Sequence, residues 1–160
     1  MHIDYIDDDI CDFFIDKLRY YKSRPESEFC QRVRTMRGGF FGTVNLLPFA
    51  DKKFYAHLNV IKKKVERVSS KSLMYHYLHM LDYDGGGDML QHEHAHAEYY
   101  TSILYLNDCD DGETFFIIDG EREEVSPKKG KLVIYPSYIE HGANYSTSKK
   151  VLVSGYNINN

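Results

Sequence analysis

The stretch Tyr99–Pro136, YYTSILYLNDCDDGETFFIIDGEREEVSPKKGKLVIYP, contains the runs YYTSILYLN, ETFFII and KLVIYP and the shorter EEVSP, separated by clusters of Asp, Gly, Pro and Lys. Aromatic and β-branched residues suit a pleated, half-buried surface, and the clusters between them are turn chemistry, so the stretch predicts four short strands. The same pattern continues downstream in KVLVSGYNI, 150–158, and upstream in SLMYHYLHMLDY, 72–83, where the glycines at 85–87 supply a turn. Short strands at regular spacing predict a sandwich or barrel.

Before Ser70 the period is different. In ICDFFIDKLRYY, Ile10, Phe13, Phe14, Leu18 and Tyr21 recur at helical spacing behind Asp7, Asp8 and Asp9, which favour a helix start. Phe54, Leu58, Ile61, Val65 and Val68 mark a second amphipathic helix over 52–68 whose lysines face solvent. Between the helices, RGGFFGTVNLLPFA reads as a loop with short extended pieces. The expected fold class is mainly β with helices (α+β), a double-sheet core with helices along one face. The expected organisation is one domain, 1–160, with 1–70 largely helical support and 71–160 the β core.

A length of 160 residues suits one sizeable core, and hydrophobic and charged shares of 42% and 28% are those of an ordinary globular protein. A net charge of -4 and the lack of dense basic stretches beyond KKFYAHLNVIKKK argue against nucleic acid as a partner. Cys11, Cys30 and Cys109 are odd in number and widely spaced, which predicts reduced thiols rather than a disulfide framework. The acidic N-terminus lacks a signal-peptide pattern and no apolar run would span a bilayer, so the expectation is a soluble, cytoplasmic protein without a membrane partner.

Chemistry concentrates in MLQHEHAHAEYY, 89–100, where His92, His94, His96 and Glu98 fall on every second residue. On an extended strand these four point one way while Glu93, Ala95 and Ala97 point the other. Same-face neighbours are roughly 7 Å apart, so at most two reach one ion and a further ligand must come from elsewhere. His141, in YPSYIEHGANY just after a predicted strand, is the candidate. Imidazole suits zinc, copper, iron and nickel, and two histidines with a carboxylate and open positions is the arrangement of non-haem iron oxygenases. The competing reading is a polar strand facing water. His2, His57, His76 and His79 have no comparable setting.

With these residues in place, about half of the chain, from Tyr83 to Ile158, resembles the iron(II)- and 2-oxoglutarate-dependent dioxygenases, in particular the prolyl 4-hydroxylase-like branch with its small phage and bacterial members. The resemblance rests on YDGGGDMLQHEH, TSILYLND, DGETFF, VSPKKGKLVIYPSYIEHG and KVLVSGYNI, in the family's order. DGET resembles the family's Gly-Gly-Glu-Thr turn, with Asp111 in place of the first glycine. The resemblance implies a double-stranded β-helix (jelly-roll) core and a phage or bacterial source. It further implies that His141 is the distal iron ligand, that Lys150, nine residues on, binds the distal carboxylate of 2-oxoglutarate, and that the Tyr105 hydroxyl contacts the same cosubstrate.

The strand pair departs from the family's His-x-Asp or His-x-Glu. Counting forward from Tyr83 and Gly86 gives His92 with His94, counting back from TSILYLN gives His94 with His96, and His96 with Glu98 restores a carboxylate. The set carried forward is His92, His94 and His141; a third neutral histidine leaves iron more positive than a carboxylate would. The implied activity is hydroxylation of a C–H bond, on a prolyl or other side chain of a peptide or protein or on a small molecule, with Fe(II), 2-oxoglutarate and O2 and with ascorbate as a possible reductant. Tyr99, Tyr100 and Tyr138 offer an entrance lining, although aromatics at strand spacing are more often core. Two alternatives stand beside it: a three-histidine metal oxygenase that does not use 2-oxoglutarate, and a non-catalytic metal-binding jelly-roll module.

Overall fold

The computed structural model describes residues 1–95 and 98–160. In chain order the elements are β1 (His2–Tyr5), α1 (Asp8–Ser23), α2 (Glu26–Phe29), β2 (Met36–Gly38), β3 (Phe41–Gly42), α3 (Lys52–Ser69), β4 (Leu73–Asp82), β5 (Gly87–His92), β6 (Tyr100–Tyr105), β7 (Thr114–Ile118), β8 (Glu121–Val125), β9 (Lys131–Pro136), β10 (Glu140–Ser146) and β11 (Lys150–Ile158). The strands form two antiparallel sheets, one of six in the order β1-β9-β6-β11-β4-β3 and one of five in the order β2-β5-β10-β7-β8. This is the expected double-sheet core. Among the described residues no helix is long and apolar enough to cross a membrane.

The central strands of the six-stranded sheet are covered on both faces, which explains why KLVIY and SILYL read as continuous apolar runs rather than as alternation. Leu132, Ile134, Leu104 and Leu152 face the helices, where they meet Phe14 and Leu18 of α1 and Phe54, Leu58, Ile61 and Val65 of α3. Their neighbours Val133, Tyr135, Ile103, Tyr105 and Val151 face the other sheet and pack on Met36, Phe116, Val125 and Ala143. Both predicted helices form. Asp51 caps α3, its carboxylate accepting from the Phe54 amide at 2.9 Å.

Three features differ from the sequence reading. The edge strand β1, paired with β9 from His2↔Ile134 to Tyr5↔Lys131, carries too few residues to announce itself. His141 does not follow a strand but lies within one: β10 is polar along much of its length and is held as a strand by β5 on one side and β7 on the other. Finally, β5 ends at His92, so the alternation that continues toward Glu98 is not one strand. Beyond His92 the His94 amide donates to the Ser137 carbonyl at 2.8 Å, and the Glu98 amide donates to the His94 carbonyl at 3.1 Å. His96 lies outside the described residues.

Candidate metal centre

Antiparallel pairing sets His141 of β10 directly opposite His92 of β5, which brings their side chains onto one face of the small sheet. His94, two residues past the end of β5, reaches the same place. Ring centroids are 4.4 Å apart for His92 and His141, 4.8 Å for His92 and His94, and 5.1 Å for His94 and His141. One potential ligand nitrogen from each ring lies within 4.8 Å of the others. The three rings sit in a cleft of about 440 Å³ between the sheets whose walls include Met36, Met89, Ile103, Val151 and Val153.

The hydrogen bonds determine which nitrogens are free. His92 Nδ1 lies 2.6 Å from the Leu90 carbonyl and His141 Nδ1 lies 3.0 Å from the Ile139 carbonyl. A carbonyl only accepts, so each Nδ1 carries the proton and each Nε2 presents a lone pair. His94 Nδ1 lies 2.7 Å from Glu98 Oε1, at ion-pair distance but without hydrogen-bond alignment, and 3.4 Å from the Tyr77 hydroxyl. His94 Nε2 is buried without a partner among the described residues. Three converging imidazoles, two of them anchored through Nδ1 so that Nε2 faces the cleft, fit the chemistry of a divalent transition metal, whose histidine ligands are held in this way through their other nitrogen.

Burial, reinforced by His92 and His94, lowers the His141 pKa to about 3, and burial also lowers that of His92. Both rings are therefore neutral near pH 7, as ligation requires. In the unfolded chain a histidine protonates near pH 6.5, so between that pH and about 3 the unfolded state binds more protons, and stability falls as pH falls. The metal-free protein is expected to lose up to about 1.4 kcal/mol per pH unit from His141 alone, with His92 adding to the slope. Urea midpoints measured from pH 7 to 5, above the titration of most carboxylates, check this; a flat profile would contradict it.

The anchor residues expected from the sequence fall differently. Along β11, Val151 and Val153 face the cleft, so Lys149 shares their face and Lys150 does not. Lys150 turns away, its Nζ 3.3 Å from Asp82 Oδ1, a carboxylate that also meets Lys22. Lys149 lines the cleft and is 1% exposed; its Nζ donates to the Gly112 carbonyl at 2.6 Å and lies 4.4 Å from the Tyr83 ring centroid. Burial pulls its pKa down to about 8, against the opposing pull of Cys109, Glu113 and Asp111. Tyr105 is also displaced from the expected position. It lies in the core between the sheets and donates to Thr114 Oγ1 at 2.5 Å, and it is Thr114 that reaches the cleft wall. The sequence reading did not single out Lys149, although the apolar residues at 151 and 153 mark the cleft-facing side that it shares.

Neither a family model nor a curated protein sequence matches the chain. Solved structures do. A Pseudomonas putida prolyl-4-hydroxylase is 16% identical with a TM-score of 0.75, covering 99% of this chain and 92% of its own. The epimerase SnoN from nogalamycin biosynthesis, in complex with Fe3+, alpha ketoglutarate and nogalamycin RO, is 13% identical with a TM-score of 0.77, covering 96% and 76%. The double-stranded β-helix of these oxygenases is the fold of this chain. A Trichoplax adhaerens prolyl hydroxylase in complex with a hypoxia inducible factor peptide fragment shares this oxygenase fold, at 12% identity and a TM-score of 0.70 over 98% and 81%.

Proposed function

We propose that the protein is an iron(II)- and 2-oxoglutarate-dependent oxygenase that hydroxylates a C–H bond of a peptide side chain or a small molecule. The observation that carries this reading is one cleft holding both three converging imidazoles and, immediately before β11 on the side of its cleft-facing valines, a buried lysine. His92, His94 and His141 are assigned as the iron ligands. Lys149, rather than Lys150, is assigned as the anchor for the distal carboxylate of 2-oxoglutarate, which its ammonium would meet in a charge-assisted hydrogen bond. Thr114, backed by the Tyr105 hydroxyl, stands as a polar group on the same wall.

Iron(II) with 2-oxoglutarate and O2 supplies the oxidative decarboxylation that yields succinate and carbon dioxide and transfers one oxygen atom to the substrate. The chain's own contribution is positional and electrostatic. The carbonyls of Leu90 and Ile139 keep protons on two Nδ1 atoms, so two Nε2 lone pairs stay directed into the cleft. The apolar walls limit water around Lys149, which strengthens its attraction for a carboxylate. The structural neighbours include one complexed with a peptide fragment and one with nogalamycin RO, and the substrate proposed here spans both classes.

An all-histidine donor set also suits a metal oxygenase that does without 2-oxoglutarate, and one titration separates the two. Iron(II)-loaded protein is titrated anaerobically with 2-oxoglutarate while the weak visible charge-transfer band of the chelate is followed, and succinate is then assayed after oxygen is admitted. A saturable band followed by succinate release is the expected result. Metal binding without a band overturns the 2-oxoglutarate reading and favours the three-histidine alternative; a band without succinate across a broad substrate panel favours a non-catalytic module.

A further inference from the structure

Glu98 is an ionisable side chain with no exposed surface, and neither carboxylate oxygen has an aligned hydrogen bond among the described residues. Burying a carboxylate in this way is costly unless something compensates it. Its Oε1 lies 2.7 Å from Nδ1 of His94, at the back of the candidate metal centre, and the Tyr77 hydroxyl also stands against the carboxylate. Two features hold it there. The Glu98 amide donates to the His94 carbonyl, which ties the two residues together. Gly155 of β11 makes room for the carboxylate, since a Cβ at that position would overlap Glu98 Oε2 and the Tyr77 ring.

The two unsatisfied groups belong to one unit. His94 Nε2 on the cleft side and the Glu98 oxygens on the far side are opposite ends of the same imidazole–carboxylate pair. We propose that Glu98 is a positioning residue for the metal: with a metal bound, the 2.7 Å contact would align so that Glu98 accepts the Nδ1 hydrogen of His94, fixes that ring with Nε2 facing the cleft, and puts a carboxylate behind a ligand set that is otherwise neutral. His92 and His141 have only backbone carbonyls behind them, so of the three donors His94 alone would have a carboxylate at its back. The proposal rests on the assignment of the three histidines as metal ligands and is independent of 2-oxoglutarate.

Cobalt(II) binding to the metal-free full chain tests it, with affinity read by competition against a chelating dye and ligand field read from the visible d–d spectrum. Glu98→Gln, which keeps the volume and removes the charge, is expected to bind cobalt about 10- to 100-fold more weakly and with a shifted d–d band. Its metal-free melting temperature should be unchanged or higher, because a buried charge is gone. Gly155→Ala keeps the carboxylate but displaces it, and is expected to weaken cobalt binding in the same direction. A carboxylate with only a structural role would instead lower the metal-free melting temperature and leave the cobalt spectrum unaltered. Glu98→Gln affinity within threefold of wild type, with an identical spectrum, overturns this proposal alone, whereas wild-type protein that binds no cobalt overturns the metal assignment and this proposal together.

Discussion

Replacing Lys149 with methionine is expected to raise the dissociation constant for 2-oxoglutarate by on the order of a hundredfold, while Lys150→Met changes it by less than about threefold. The two residues are adjacent in sequence and opposite in orientation. Lys149 is buried at the cleft beside Tyr83 and Thr114, and Lys150 is paired with Asp82 on the other face of β11. Removing one member of a buried, hydrogen-bonded charge pair costs about 2–5 kcal/mol, and each 1.4 kcal/mol is tenfold. A hundredfold loss lies within that range. Methionine keeps most of the stem packing, so the loss reports the charge.

The pH dependence follows from the same burial. Free Lys149 loses its proton as pH rises through about 8, so anion affinity should fall above that pH, with the onset moved upward in the complex because a bound carboxylate favours the ammonium. Isothermal titration of the metal-loaded, oxygen-free protein at pH 7 and pH 9 measures both effects. Equal affinity for wild type and Lys149→Met at pH 7 would remove Lys149 from the site, and a loss confined to Lys150→Met would return the role to the residue that counting from His141 suggested.

This contrast also marks where the sequence stops being informative. Helices α1 and α3 were readable because their apolar positions keep a helical period among charged residues, and the β core was readable because its buried strands are dense in aromatic and branched residues. Facing along a strand is a parity question, and a slip of one residue reverses every side chain. Counting nine residues from His141 reaches Lys150, which does not share the cleft-facing side of Val151 and Val153. Strand β10 escaped notice for a different reason. EHGANYS has little intrinsic strand character, and its conformation comes from ladder bonds to β5 and β7 that only the assembled sheet supplies. The histidine cluster was found through its alternation, yet the structure assembles it from a strand end, the segment just beyond it and a second strand. Glu98 consequently falls behind His94 rather than beside it.

His141→Ala is expected to weaken divalent metal binding by more than the hundredfold that marks the upper range for loss of a partner behind a ligand, because it deletes a donor outright. In a thermal shift measurement with Ni(II), wild type gains about 2.7 kcal/mol of stability at a metal concentration a hundred times its dissociation constant, and the variant at that same concentration should gain almost nothing. The metal-free proteins should behave in the opposite way as the pH is lowered. Near neutrality the variant is the less stable, since the ring packs against Tyr135 and Phe116 and its removal leaves a cavity. Below about pH 6.5 the wild type must keep a buried imidazole neutral while the unfolded chain protonates freely, a penalty the alanine variant escapes. The stability difference at pH 7 should therefore shrink by pH 5. A difference that stays constant would show that the buried imidazole does not control the acid response, whereas a full nickel shift in His141→Ala would place the metal on other ligands.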